Sequence, residues 1–255
     1  LGLHKFNQSD LLKEEVDDLK KLKEKPDKNY SYWLNINGVN NPDIIKNIAQ
    51  YFKLDNLLVE DIMNTTIRPK IDEFPPHLAL TIKMLTYDSN AFQLKSEQLT
   101  LVLGDQYLLS FQEEKGDLFD NFRKRIETPV SNVRQRKSDY VFYRLMDIIV
   151  DHYFIITDQI DEQLEAIEYD LFHNFDRGQL ASIQGVKKAL LQLKRSIIPL
   201  KESVSTLMVM DSELFESGTK KFIKDIHDHL NQISDNIESE KDLLTMLMDI
   251  YLNQQ

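Results

Sequence analysis

The chain contains no cysteine. That excludes disulfides, thiolate metal centres and cysteine nucleophiles, and it suits a reducing compartment. Glycine is scarce too: there are seven in 255 residues, with no glycine-rich loop of the kind that cradles a dinucleotide or a triphosphate. No run of about 18 apolar residues occurs, so no segment reads as a membrane span. The first residues lack the apolar core of a signal peptide and read as a charged, helix-like start. Positive charge is also short: 31 Lys and Arg face 42 Asp and Glu, a net charge of −11. Phosphate backbones need a basic footprint, so nucleic acid is excluded as a partner and cations are favoured.

What is present is a substantial apolar fraction, 42%, with 29% charged residues, enough for a real core. The period of the apolar pattern changes near Ser138. Before it, short strands and helices alternate. "YWLNIN" (32–37) reads as a strand, and Asn41-Pro42-Asp43 as a capped helix start. A second short helix carries Glu60 and Asp61. "HLALTIKMLTYD" and "EQLTLVLGDQYLLSFQ" read as strands, the latter a hairpin turning at Gly104-Asp105. "GDLFDNFRKRIE" reads as an amphipathic helix. The expected class is α+β: an α/β/α layered domain over 1–137 with a mostly antiparallel sheet, then long antiparallel helices over 138–255.

In the second region apolar residues step by three and four. The first series runs from Ile149 to Leu171, the second from Ile183 to Leu207. The third runs from Phe222 to Ile237 and resumes at Leu244, Leu247 and Tyr251. Turn signals lie near Asn174–Gly178 and Glu216–Gly218, and Pro199 should kink the second helix. The third pattern runs to the last residues without a Gly or Pro stop, which suggests that the natural chain continues.

Candidate chemistry is carboxylate chemistry. Between Arg144 and Arg177 nine acids occur without one Lys or Arg. Each taken singly reads as a solvated helix charge; as a group they make a negative potential that concentrates divalent cations. The six histidines do not form a metal pattern along one helix, since His227 and His229 point about 200° apart. No nucleophile and base converge, so an enzyme is not expected. "RQRK" (134–137), the one basic cluster, reads as a linker or a counter-charge for the acidic helices.

Four stretches in order resemble the CorA family of magnesium transporters. These are "WLNINGVNNPDIIKNIAQYFKLDNLLVEDIMNTTIRPKIDEF", "SEQLTLVLGDQYLLSFQE", "SDYVFYRLMDIIVDHYF" and "LKRSIIPLKE". The resemblance implies a regulatory part lying on the cytoplasmic face of the cell inner membrane, ahead of missing membrane helices, within a homopentamer. It also implies divalent-cation sites between subunits, holding Mg²⁺ or Co²⁺ and keeping the pore closed. By resemblance Asp61 faces Asp225 of the adjacent subunit, Glu60 and Asp147 join Asp225 in a second, weaker site, and Asp249 matches a pore-facing acid nearer the membrane. A ZntB-type zinc transporter domain and a free-standing helical scaffold are the alternatives.

Overall fold

The structure is a computed structural model that describes residues 1–15, 26–129 and 131–254. Seven strands form one sheet: β1 (Gly2–Phe6), β2 (Leu11–Glu15), β3 (Ser31–Asn37), β4 (Lys70–Phe74), β5 (His77–Asp88), β6 (Gln93–Leu103) and β7 (Tyr107–Gln112). Their order is β2-β1-β3-β7-β6-β5-β4. Every pairing is antiparallel except β3 with β7, where Tyr32 lies opposite Tyr107. The described part of the N-terminus is therefore strand, not the helix that its charge suggested. Five residues of β1 pair with β3 on one side and β2 on the other. Its side chains go to both faces of the sheet: Leu3 is buried on one, Phe6 on the other, where His4 stacks on Trp33 at 5.4 Å.

Helices α1 (Pro42–Phe52) and α2 (Asn56–Met63) cover one face of the sheet. Ile45, Ile48, Leu58 and Ile62 pack there with Leu34, Val102 and Leu109. Asn41 caps α1 by accepting from the N–H groups of Asp43 and Ile44, with Pro42 at the first turn. The opposite face packs on α3 (Asp120–Glu127), α4 (Ser138–His173) and α5 (Gln179–Val209), and α6 (Ser217–Gln254) packs in the same core against α4 and α5. The α/β/α layering expected from sequence is the observed one.

At 1.5 Å per residue the three long helices span roughly 45–55 Å. Ring contacts fix their directions. Tyr143 meets Phe222, Phe154 meets His229, and Phe175 meets Tyr251, so α4 and α6 run in parallel. Helix α5 returns between their ends, with Lys194 on α5 paired to Glu238 on α6. Every seam residue from Ile149 to Leu171 and from Ile183 to Leu207 is buried, as are Ile226, Leu230, Ile233, Ile237, Leu244, Leu247 and Tyr251. Helix α5 continues through Pro199, which cannot donate to the Arg195 carbonyl one turn earlier. The second turn differs from expectation: residues 210–216 connect α5 to α6, and the helix begins inside the Glu216–Gly218 signal. Asp139 accepts the Glu216 N–H at 2.9 Å and ties this start to the base of α4. The basic cluster is spent on structure: Arg134 donates to the Ile126 carbonyl, Arg136 lies over Tyr140, and Lys137 pairs with Glu216.

Gly185 marks the closest approach of α5 to the β5–β6 turn. A Cβ there would sit 2.6 Å from the Phe92 Cβ, and Phe92 is itself held in the left-handed region. Gly185→Ala gains up to ~1 kcal/mol of helix propensity and incurs about 1–3 kcal/mol of overpacking. The clash wins, so thermal melting of this variant should fall by a few degrees.

One interruption of the α6 seam is Glu240, which fills the position between Ile237 and Leu244. It is only 5% exposed, and its Oε2 has no hydrogen-bond partner. Burial, and then Asp161 and Asp158 on α4, push its pKa up from 4.5 to about 8. The folded state therefore binds a proton that the unfolded state releases, and stability falls as pH rises from about 4.5 to about 8. Glu240→Gln should flatten that part of the melting-temperature profile. Glu240→Leu should raise the melting temperature most at pH near 8, by roughly 2–4 °C for each kcal/mol recovered. Parallel profiles for wild type and both variants would show that Glu240 does not titrate there.

Candidate metal centre

Helix α2 is placed by its two buried residues, Leu58 and Ile62, one turn apart, and by Asp55, whose carboxylate accepts the Leu57 N–H at 2.7 Å. At about 100° per residue, Glu60 then points away from the sheet and Asp61 lies to its side. Glu60 is exposed. The Asp61 carboxylate is 22% exposed and pairs with Lys70 on β4 at 2.7 Å. Lys70 also pairs with Asp72 at 2.8 Å. Burial works against the Lys70 charge, but the two carboxylates outweigh it and hold its pKa above the ordinary lysine value. Gln98 fixes the end of α2, donating to the carbonyls of Asp61 and Asn64 at 3.2 and 3.0 Å.

Asp225 sits on α6 beside the buried Ile223 and Ile226 and is itself exposed. It makes no ion pair among the described residues. Asp61 and Asp225 belong to helices that pack on opposite faces of the sheet. The chain does not bring them together by folding on itself. Asp249, near the end of α6, is exposed and lines an apolar groove with Leu190, Leu244 and Met248.

Asp147 has different surroundings. It is 7% exposed, the Arg144 guanidinium bonds its Oδ2, and the Tyr143 hydroxyl lies 3.4 Å from the same oxygen. Burial raises its pKa, opposed by Arg144 and reinforced by Asp151. Asp147, Asp151 and His229 each place a potential ligand atom within 4.8 Å of the others, the one such group among the described residues. His229 is oriented by an edge contact with Phe154, centroids 5.6 Å apart. Sequence reasoning named Asp147 but grouped it with Glu60 and Asp225, and missed Asp151 and His229 as its neighbours. The one-turn spacing of Asp147 and Asp151 was a usable signal. The approach of His229 was not, because it depends on how α6 sits against α4.

The chain as a whole has known relatives. The family described as "CorA-like Mg2+ transporter protein" matches residues 28–255. The "Cobalt/magnesium transport protein CorA" of Thermotoga maritima is 33% identical over 221 residues, which is 87% of this chain and 63% of that protein. The chain thus spans less than two thirds of that relative's length. The "Putative metal ion transporter YfjQ" of Bacillus subtilis is 24% identical over 87% of this chain and 67% of its own. The soluble domain of CorA from Methanocaldococcus jannaschii superposes with a TM-score of 0.81 at 16% identity. That match covers 98% of this chain and 96% of that domain, and shows a shared fold. The ZntB cytoplasmic domain from Vibrio parahaemolyticus shares the fold at a TM-score of 0.77 and 15% identity, over 99% of this chain and 97% of that one. No helix among the described residues is long and apolar enough to cross a membrane. With the family pattern running from residue 28 to the end of the chain, this protein belongs to the CorA-like Mg²⁺ transporter family.

Proposed function

We propose that this chain is the cytoplasmic Mg²⁺-sensing part of a divalent-cation channel at the inner membrane. In this reading 1–137 is the layered domain and 138–255 the stalk that leads to the pore. The observation that carries it is the pair Asp61 and Asp225: two carboxylates on opposite layers of one chain, the second exposed and without an ion pair among the described residues. A second copy supplies what the first cannot. Mg²⁺ prefers oxygen ligands, keeps several waters, and is held by one or two carboxylates, which suits exposed acids better than a preformed cage.

Across an interface, Asp61 of one copy and Asp225 of the next repel without a cation and attract one strongly when it is present. At ~4 Å and an effective dielectric near 20, each such charge pair is worth a few kcal/mol. Repeated around a homopentamer, occupancy of Mg²⁺ or Co²⁺ biases the ring toward a closed state. Glu60 and Asp147 form the weaker second site with Asp225, and Asp249 contributes a ring of charge further along the stalk. Lys70 competes with the ion for Asp61, so binding has to displace an ammonium that already neutralises it. The acids bind the ion and break no bond, in keeping with a transporter domain.

The mixed group of Asp147, Asp151 and His229 favours a second reading for that site alone. An imidazole among carboxylates suits Co²⁺ or Zn²⁺ better than Mg²⁺, the direction of the ZntB-type alternative.

Millimolar Mg²⁺ should raise the melting temperature or the apparent mass of the chain, and Asp61→Ala with Asp225→Ala should remove that response. A full response in the double variant would take both residues out of the sensor. Lys70→Met removes the competing charge and should shift the Mg²⁺ midpoint to lower concentration. A shift to higher concentration would show that Lys70 instead orients Asp61 for the ion.

A further inference from the structure

A cleft of about 340 Å³ opens between the sheet and α5, behind the loop that follows Asp61. Arg68 from that loop, Lys83 from β5 and Arg195 from α5 all line it. Ser96, Gln192 and Ser196 supply neutral polar groups, and no carboxylate among the described residues lines it. In a chain of net charge −11, three cations sharing a concavity with no acid is the reverse of the general surface.

The cations are also free to act. Neither Arg68 nor Arg195 forms an ion pair or a side-chain hydrogen bond with any described residue. Lys83 is half-buried and donates only to neutral acceptors, the Thr65 carbonyl at 2.8 Å and Gln98 Oε1 at 3.0 Å. An ammonium carries three N–H donors, so one is left for a ligand. Burial lowers the Lys83 pKa, and the more distant Glu113 offsets this only in part, as expected of a cation without a counter-ion beside it.

From these placements we infer that the cleft between Arg68, Lys83 and Arg195 is an anion-binding site for a phosphate group, either free or as the terminal phosphates of a nucleotide. Guanidinium groups present paired donors that match phosphate oxygens, and a lysine between them adds a point charge. The volume lies at the small end of the range for small-molecule sites and leaves room for more than one phosphate. The position also gives the ligand a route to α2. Lys83 bonds the same Gln98 whose amide holds the Asp61 and Asn64 carbonyls. An anion bound to Lys83 would thus pull on the contacts that set the end of α2.

The test is calorimetric titration of the full chain with inorganic phosphate, pyrophosphate and adenosine diphosphate. Chloride serves as a control, all at a matched ionic strength of about 0.1 M to screen diffuse attraction. Pyrophosphate should bind saturably, with a dissociation constant on the order of 0.1 mM, and phosphate more weakly. Diphosphonucleotide binding tighter than pyrophosphate assigns the site to a nucleotide; equal or weaker binding assigns it to the phosphate alone. Arg195→Gln and Arg68→Gln should each weaken binding roughly tenfold through the loss of a charge-assisted contact. Ser96→Glu, at an exposed position with no hydrogen bond to lose, should abolish binding by placing a carboxylate in the cleft. Absence of saturable heat with all three phosphate probes would overturn the inference. So would affinity that survives all three substitutions. Because none of these measurements includes a divalent cation, their failure leaves the Asp61–Asp225 reading standing.

Discussion

Helix α4 is buried between the sheet and the two helices that follow it, and the placement of most other elements depends on that burial. Its first turns pack Val141, Phe142, Leu145 and Met146 into the same core as Leu101, Leu103 and Leu108 of the sheet. Further along, Tyr153 gives its hydroxyl to the Lys83 carbonyl, and Gln163 bonds both Tyr87 and the Ser89 carbonyl. The same helix then supplies Ile156, Ile160 and Leu164 to the seam shared with α5 and α6. Each large apolar side chain so buried contributes about 1.5–3 kcal/mol. Sheet and bundle therefore share one apolar core.

Charge is arranged around that core with different degrees of neutralisation. Asp147, buried, has Arg144 beside it; Asp61, partly exposed, has Lys70; Asp225, exposed, has no ion-pair partner among the described residues. The order follows from solvation. A carboxylate removed from water needs a cation within the chain, whereas one left in water can wait for an external ion. Glu240 is the exception, a buried acid with two acidic neighbours, and it is accommodated by keeping its proton. Arg68, Lys83 and Arg195 share the cleft beside α5, where no carboxylate of the described residues lines the wall.

Much of this was readable from residue order. The three- and four-residue steps place nearly every seam residue correctly, because a long helix in contact with another must keep one stripe dry. Asn41-Pro42-Asp43 and the Gly104 turn were legible because caps and turns are local chemistry. The first strand was not. "GLHKF" carries charge that suggests a helix, and only its two strand partners, one of them 30 residues away, select the extended form. The site divides in the same way. Glu60 and Asp61 could be placed on a short helix from residue order, but that Glu60 points outward and Asp61 to the side follows from the burial of Leu58 and Ile62.

From the sequence alone came the class of the protein, the long helices and the carboxylate character of its candidate sites, which rest on local periodicity and residue type, and the resemblance to its family, which rests on four motif stretches in order. The pairing of Asp61 with Lys70, the meeting of Asp147 and Asp151 with His229, and the cleft shared by Arg68, Lys83 and Arg195 were decided only in three dimensions. Each joins side chains from separate elements, and their distances are set by how α4, α5 and α6 pack on the sheet rather than by any spacing along the chain.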